Sequence, residues 1–263
     1  MPFALFLSAL PALCGAAGFF LRRWQLATAF EPTGLPLPGA PATLALTGLS
    51  IALLVLFALL LWRQFHGKAA LSCDEAFRCE SPVYMTAMVV ASLLMTTGGV
   101  LELMRYVNHE TSALATPILA ALLVASGGAV LLLGKEHYRA LGNSRFSGIS
   151  LLPAFTWCLW LVLVYQTSAG DPVLQNYVYR MLAIIAALLG HYFLSSCSFE
   201  RVRPVLTVWS GGAAVFFAAV ALADEGSLSA TVFLFSASII YFTAQNAALL
   251  RNFTAVREEN THE

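Results

Sequence analysis

The chain has 263 residues, of which 59% are hydrophobic and 11% charged, with zero formal net charge and a mean hydropathy of +0.77. A soluble domain carries roughly 25% charged residues, so this chain has too little charge to cover a water-facing surface. A neutral balance also excludes the basic field of a nucleic-acid binder.

The missing solvent is lipid, where only helices and closed barrels satisfy their backbone polar groups. The apolar runs are long and do not alternate, which fits helices and not a barrel. The expected fold is therefore an all-α integral membrane protein with about eight transmembrane helices. The runs long enough to cross are 3–21, 43–63, 83–105, 114–134, 150–168, 175–197, 204–223 and 227–249. The first has no basic segment before it, only "MPF", so it reads as a span. A cleaved leader is the alternative and would leave seven spans.

Polar or turn-rich segments punctuate the runs. Pro- and Gly-rich "EPTGLPLPGAP" follows the first, and "HGKAALSCDEAFRCESP" follows the second. "GKEHYRALGNSRFSG" ends the fourth, "SAGDPV" the fifth and "SSCSFERVRP" the sixth, and "DEG" separates the last two. With the N-terminus inside, Arg63, Lys68, Arg78, Lys135, Arg139, Arg145, Arg201, Arg203, Arg251 and Arg257 are cytoplasmic, against Arg22, Arg23, Arg105 and Arg180 outside. That balance places both termini in the cytoplasm of a multi-pass cell-membrane protein. Arg22 and Arg23, at the outer end of the first run, go against the rule and need a reason to be there.

The chain echoes itself. "SALPA" at 8–12 matches "SLLPA" at 150–154, "FRCESPV" at 77–83 matches "FERVRPV" at 199–205, and "SALATPIL" at 112–119 matches "SLSATVFL" at 227–234. A parallel 4+4 repeat follows, with residues 1–142 and 143–250 forming two four-helix bundles and 251–263 a cytoplasmic tail. The small-residue stretches "TTGG" (96–99), "SGG" (126–128) and "SGG" (210–212) are expected where helices approach closely.

Charges inside a membrane are costly and are the first functional candidates. Arg180, Arg105, Glu102, Arg22 and Arg23 are expected to line an outward-facing polar pocket. Four arginines against Glu102 would favour an anionic group there. The competing reading has the arginines snorkelling to headgroups or tying helices together. His191, in "LLGHYFLSSC", is the one histidine inside a run. It suits a quinol or proton site, or simple packing, and a bis-histidine haem lacks its second ligand.

Cys73, Cys79, Cys197, His66 and His137 fall on one side, but their spacing is not that of a zinc site, so no metal and no cofactor is expected. "NFT" at 252–254 matches a glycosylation sequon that the assigned topology places in the cytoplasm. No H-E-x-x-H, G-x-S-x-G or P-loop is present, which makes an intramembrane enzyme the weakest reading. The first functional expectation is a small-solute binding or transport protein. The second is a non-catalytic anchor or accessory subunit of a membrane complex, linked to quinol through His191. The bilayer is the certain partner, and a homo-oligomer or partner subunits are the others to test for.

Overall fold

A computed structural model describes residues 2–31, 33–66, 72–110, 114–139, 147–199 and 202–259. Lys68, Arg145 and Arg201 lie outside the described residues, as does the side chain of Arg257. The protein is 84% helical. Its helices are α1 (Pro2–Thr28), α2 (Pro41–Phe65), the short α3 (Cys73–Phe77), α4 (Pro82–Val107), α5 (Ala115–Arg139), α6 (Ser147–Ser168), α7 (Val178–Cys197), α8 (Pro204–Ala221) and α9 (Ala230–Glu259). Eight of them are long and apolar enough to cross a membrane, all but α3. The protein is thus a multi-pass membrane protein. The residues lining one groove bring Ala4 and Leu5 together with Arg251 and Thr254, so the ends of α1 and α9 share one face, the terminal face. The opposite face is the distal face.

Local chemistry sets the helix starts. Pro41, Pro82 and Pro204 occupy the first turns of α2, α4 and α8, where proline's missing N–H costs nothing. Between α1 and α2 the Pro- and Gly-rich segment folds back on itself. Leu37 N–H donates to Ala29 O at 2.8 Å, Glu31 N–H donates to Leu35 O at 2.8 Å, and Gly34 and Gly39 take positive φ at 84° and 73°. One boundary needs correcting. Arg22 and Arg23 do not end the first helix, because α1 continues through Thr28. The apolar run stops at the arginines, but a neutralised guanidinium lets the helix go on.

Helices α4, α5, α6, α7, α8 and α9 pack in a ring, each on the next, and α9 closes it on α4. The hairpin α1–α2 lies outside the ring and leans on α8, with α1 also touching α9. α8 is the most enclosed span, with 72% of its most apolar stretch buried. Contacts of α4 on α9, α1 on α8 and α5 on α6 cross the midpoint of the chain. Exchanging the two halves does not reproduce the neighbour pattern. α7 packs closely on α8, and the corresponding α2 and α4 have no comparable contact.

The small residues sit at close approaches. Ser92 Oγ donates to Gly127 O at 2.7 Å, and a Cβ added at Gly127 would meet Thr96 Oγ1 and lie 2.9 Å from Ser92 O. Gly99 faces Ala120 O in the same way, at 3.0 Å. Trp157 and Trp160 are buried together inside the ring, with ring centroids 5.1 Å apart.

Candidate functional site

The distal face holds the most unusual side chain in the protein. Arg22 is fully buried. An uncompensated buried guanidinium is strongly unfavourable, and every nitrogen of this one has a partner. Nε donates to Asp224 Oδ1 at 2.7 Å, Nη1 to Gln25 Oε1 at 2.7 Å and Nη2 to the Gln175 carbonyl at 2.8 Å. The guanidinium carbon also lies 5.1 Å from the centre of the Tyr179 ring. One residue of α1 thereby fixes the turn that ends α8 and the turn that leads into α7.

Beside this cluster a cleft of about 420 Å³ runs between α2 and α7, with α8 as its floor. Thr43, Thr47, Ser50, Ile51 and Leu54 line it from α2, and Tyr179, Leu182, Ile185, Ala186 and Leu189 line it from α7. The i, i+4, i+7, i+11 spacing puts the α2 set on one helix face, spanning about 16 Å at 1.5 Å per residue. The cleft is polar near the distal face and apolar farther in. Gln25 Nε2 donates to Thr43 Oγ1 at 2.9 Å across its mouth. The Tyr179 hydroxyl comes within interaction range of Thr47 and Ser50. At the inner end Trp209 anchors the floor by donating from Nε1 to Leu54 O at 3.0 Å. Gln175 lines the same space, and its Oε1 is buried without a hydrogen-bond partner among the described residues. A buried acceptor left without a donor is uncommon.

The other sequence candidates lie apart from this cleft. Arg180 Nη2 pairs with Glu225 Oε1 at 2.6 Å, while Glu225 Oε2 accepts from Ser229 Oγ at 2.7 Å. Arg105 pairs with Glu102 at 3.1 Å and approaches Glu110 at 3.7 Å, all on α4 and the turn after it. Arg23 is exposed, 5.8 Å from the centre of the Phe19 ring. Of the five, only Arg22 touches the lining of the cleft, through Gln25, Gln175 and Tyr179. Asp224 and Glu225, which hold two of the arginines, are not among the sequence candidates. "ALADEG" carried the signal: two carboxylates at the very end of a span, where solvent alone would not explain both.

His191 is buried inside the ring. Its imidazole packs 4.9 Å from the Tyr241 ring, 4.8 Å from Phe242 and 6.1 Å from Trp157. His137 belongs to a separate polar group at the terminal face. Its Nδ1 lies 2.9 Å from the Tyr84 hydroxyl, which donates to Gln245 Oε1 at 3.3 Å, and Phe77 of α3 stacks on the imidazole. Among the described residues no three His, Cys, Asp or Glu side chains gather where a metal could be held.

The chain matches no family model, no curated protein and no solved structure. What it does must therefore be argued from its own residues.

Proposed function

We propose that the protein is a membrane-embedded binding or transport protein for a small amphipathic solute held in the cleft between α2 and α7. One observation carries the reading: a cleft with hydroxyls and amides at the distal end and aliphatic walls farther in, braced by the buried Arg22 cluster. Its volume falls in the range typical of small-molecule sites, about 300–1,000 Å³. The four arginines by themselves suggest an anionic ligand. Three of them pair with carboxylates, Arg22 with Asp224, Arg180 with Glu225 and Arg105 with Glu102 and Glu110, which favours a neutral solute instead, one that hydrogen-bonds to the hydroxyls and amides at the distal end. The test is native mass spectrometry of the protein purified from its own membranes, compared with Ile185→Trp, which fills the cleft from α7. An adduct lost in the variant supports the reading.

The orientation belongs to the same proposal, with both termini cytoplasmic. At the terminal face Arg63, Lys135, Arg139, Arg203 and Arg251 carry no ion pair among the described residues, whereas Arg22, Arg105 and Arg180 at the distal face are matched by carboxylates. Unmatched positive charge favours the cytoplasmic side. The 4+4 duplication rests on the sequence echoes.

A second reading, an anchor or accessory subunit, is favoured by the surface of α2. That helix sits at the edge of the assembly and exposes Ile51, Val55, Leu56, Leu59 and Trp62. Subunits that co-purify with the protein and are lost on substitution of this face would support it.

A further inference from the structure

A second groove shares no lining residue with the cleft above. It measures about 690 Å³ and runs along α9 between the first half of α1 and the first half of α4. Both helices pack on α9, whose residues between them run from Ile239 and Ile240 to a cluster of alanines. Ala244, Ala247 and Ala248 form the floor, with Ala12 and Ala87 on the walls. In a membrane this space opens sideways onto lipid tails, so a hydrocarbon chain is the occupant that matches its walls.

At the terminal face the groove turns polar. Arg251 lines it, is exposed, and carries no hydrogen bond or ion pair among the described residues. α4 begins at Ser81–Pro82 on the same groove, and Ser81 makes no side-chain capping hydrogen bond, so the N–H groups of Val83 and Tyr84 in the first turn of this 26-residue helix have no side-chain acceptor among the described residues. A free guanidinium and an uncapped helix N-terminus facing one space both favour an anion. Two carboxylates of the described residues nearby are already engaged. Glu80 pairs with Arg78 at 2.7 Å, and Glu75 accepts from the Ser72 hydroxyl at 2.9 Å and the Ser72 N–H at 3.1 Å.

We propose that this groove is a binding site for one anionic phospholipid of the bilayer, its acyl chain along the alanine floor of α9 and its phosphate between Arg251 and the start of α4. The site is independent of the solute cleft. It makes the protein selective for anionic lipid on the membrane face that bears its termini, the face where such headgroups meet basic residues.

The test is native mass spectrometry of the full-length protein titrated in detergent with phosphatidylglycerol and, separately, phosphatidylcholine. Wild-type protein is expected to retain phosphatidylglycerol about tenfold more tightly, because the choline ammonium neutralises the phosphate charge that phosphatidylglycerol offers uncompensated to Arg251. Arg251→Gln removes an exposed side chain and is expected to equalise the two lipids. Ala247→Phe fills the floor and is expected to weaken both. Equal affinity of the wild type for the two lipids overturns the proposal, as does a preference that survives Arg251→Gln. Full competition by inorganic phosphate would show an anion site without a chain, and a lipid-free dimer lost in Ala247→Phe would make a second copy the occupant. Either result also overturns it.

Discussion

Arg22 and Asp224 stand 202 residues apart in the chain and meet at 2.7 Å. Their contact joins the distal part of α1 to the turn between α8 and α9, so the hairpin α1–α2 is held to the ring by a buried charge pair. It also accounts for a buried arginine at the distal face. Arg22 is there to be neutralised, and Arg23 follows it into solvent.

Removing one partner of a buried pair leaves an unpaired charge, at a cost of about 3–5 kcal/mol. Arg22→Met and Asp224→Leu should each lower the midpoint of thermal unfolding in detergent sharply. The double variant should recover most of the loss, because no charge is left stranded. If the two single losses simply added in the double variant, the two residues would not act as a pair.

Close packing of α4 on α5 depends on Gly127. An added methyl would press on the Ser92 carbonyl at 2.9 Å and on Thr96 Oγ1. Gly127→Ala is expected to destabilise by about 1–3 kcal/mol, the range for overpacking. Gly128, whose added Cβ would meet nothing within 4 Å, is the control, and Gly128→Ala should leave the melting temperature unchanged or raised.

Asn252 is the asparagine of the sequon, and its side chain has another task. Nδ2 donates to the carbonyls of Glu75, Ala76 and Arg78 at 3.1, 3.0 and 2.9 Å, closing the end of α3. Asn252→Ala should loosen α3 and speed the reaction of the buried Cys79 with a maleimide, with little effect on global melting. Unchanged Cys79 reactivity would mean that α3 is held without this amide.

In the distal connection between α6 and α7, Asp171 accepts from Asn176 Nδ2 and from the Val173 N–H, both at 2.8 Å. These bonds hold its carboxyl below the usual aspartate range, the Asn176 contact being the larger cause. A depressed folded-state pKa means that the stabilisation is full above the unfolded pKa and is lost as pH falls through the folded one. Protease nicking of residues 169–177 should therefore rise in acid, and Asp171→Ala should remove that dependence by raising cleavage at neutral pH to the acid level.

The eight spans were legible because lipid imposes a length and a composition on every crossing helix. The close approaches were legible too, since "TTGG" and the two "SGG" stretches have few other uses. What the sequence did not reveal is which helices touch. In hydrocarbon every apolar face is equally content against a neighbour or a lipid tail, so nothing marked α8 as central or put α1 and α9 side by side. The site was half legible. Arg22 stood out as a charge at the end of an apolar run, but Asp224, Gln175 and Tyr179 join it only through tertiary contact, and the helix periodicity that lines the cleft is blurred by α2 being apolar almost all round.

The most direct test of the solute cleft is native mass spectrometry on protein taken from its own membranes, wild type beside Ile185→Trp and Tyr179→Phe. A small-molecule adduct is expected on the wild type, weakened by Tyr179→Phe and absent from Ile185→Trp, with all three proteins equally folded. The same adduct on all three, or none on the wild type, would contradict a solute site between α2 and α7.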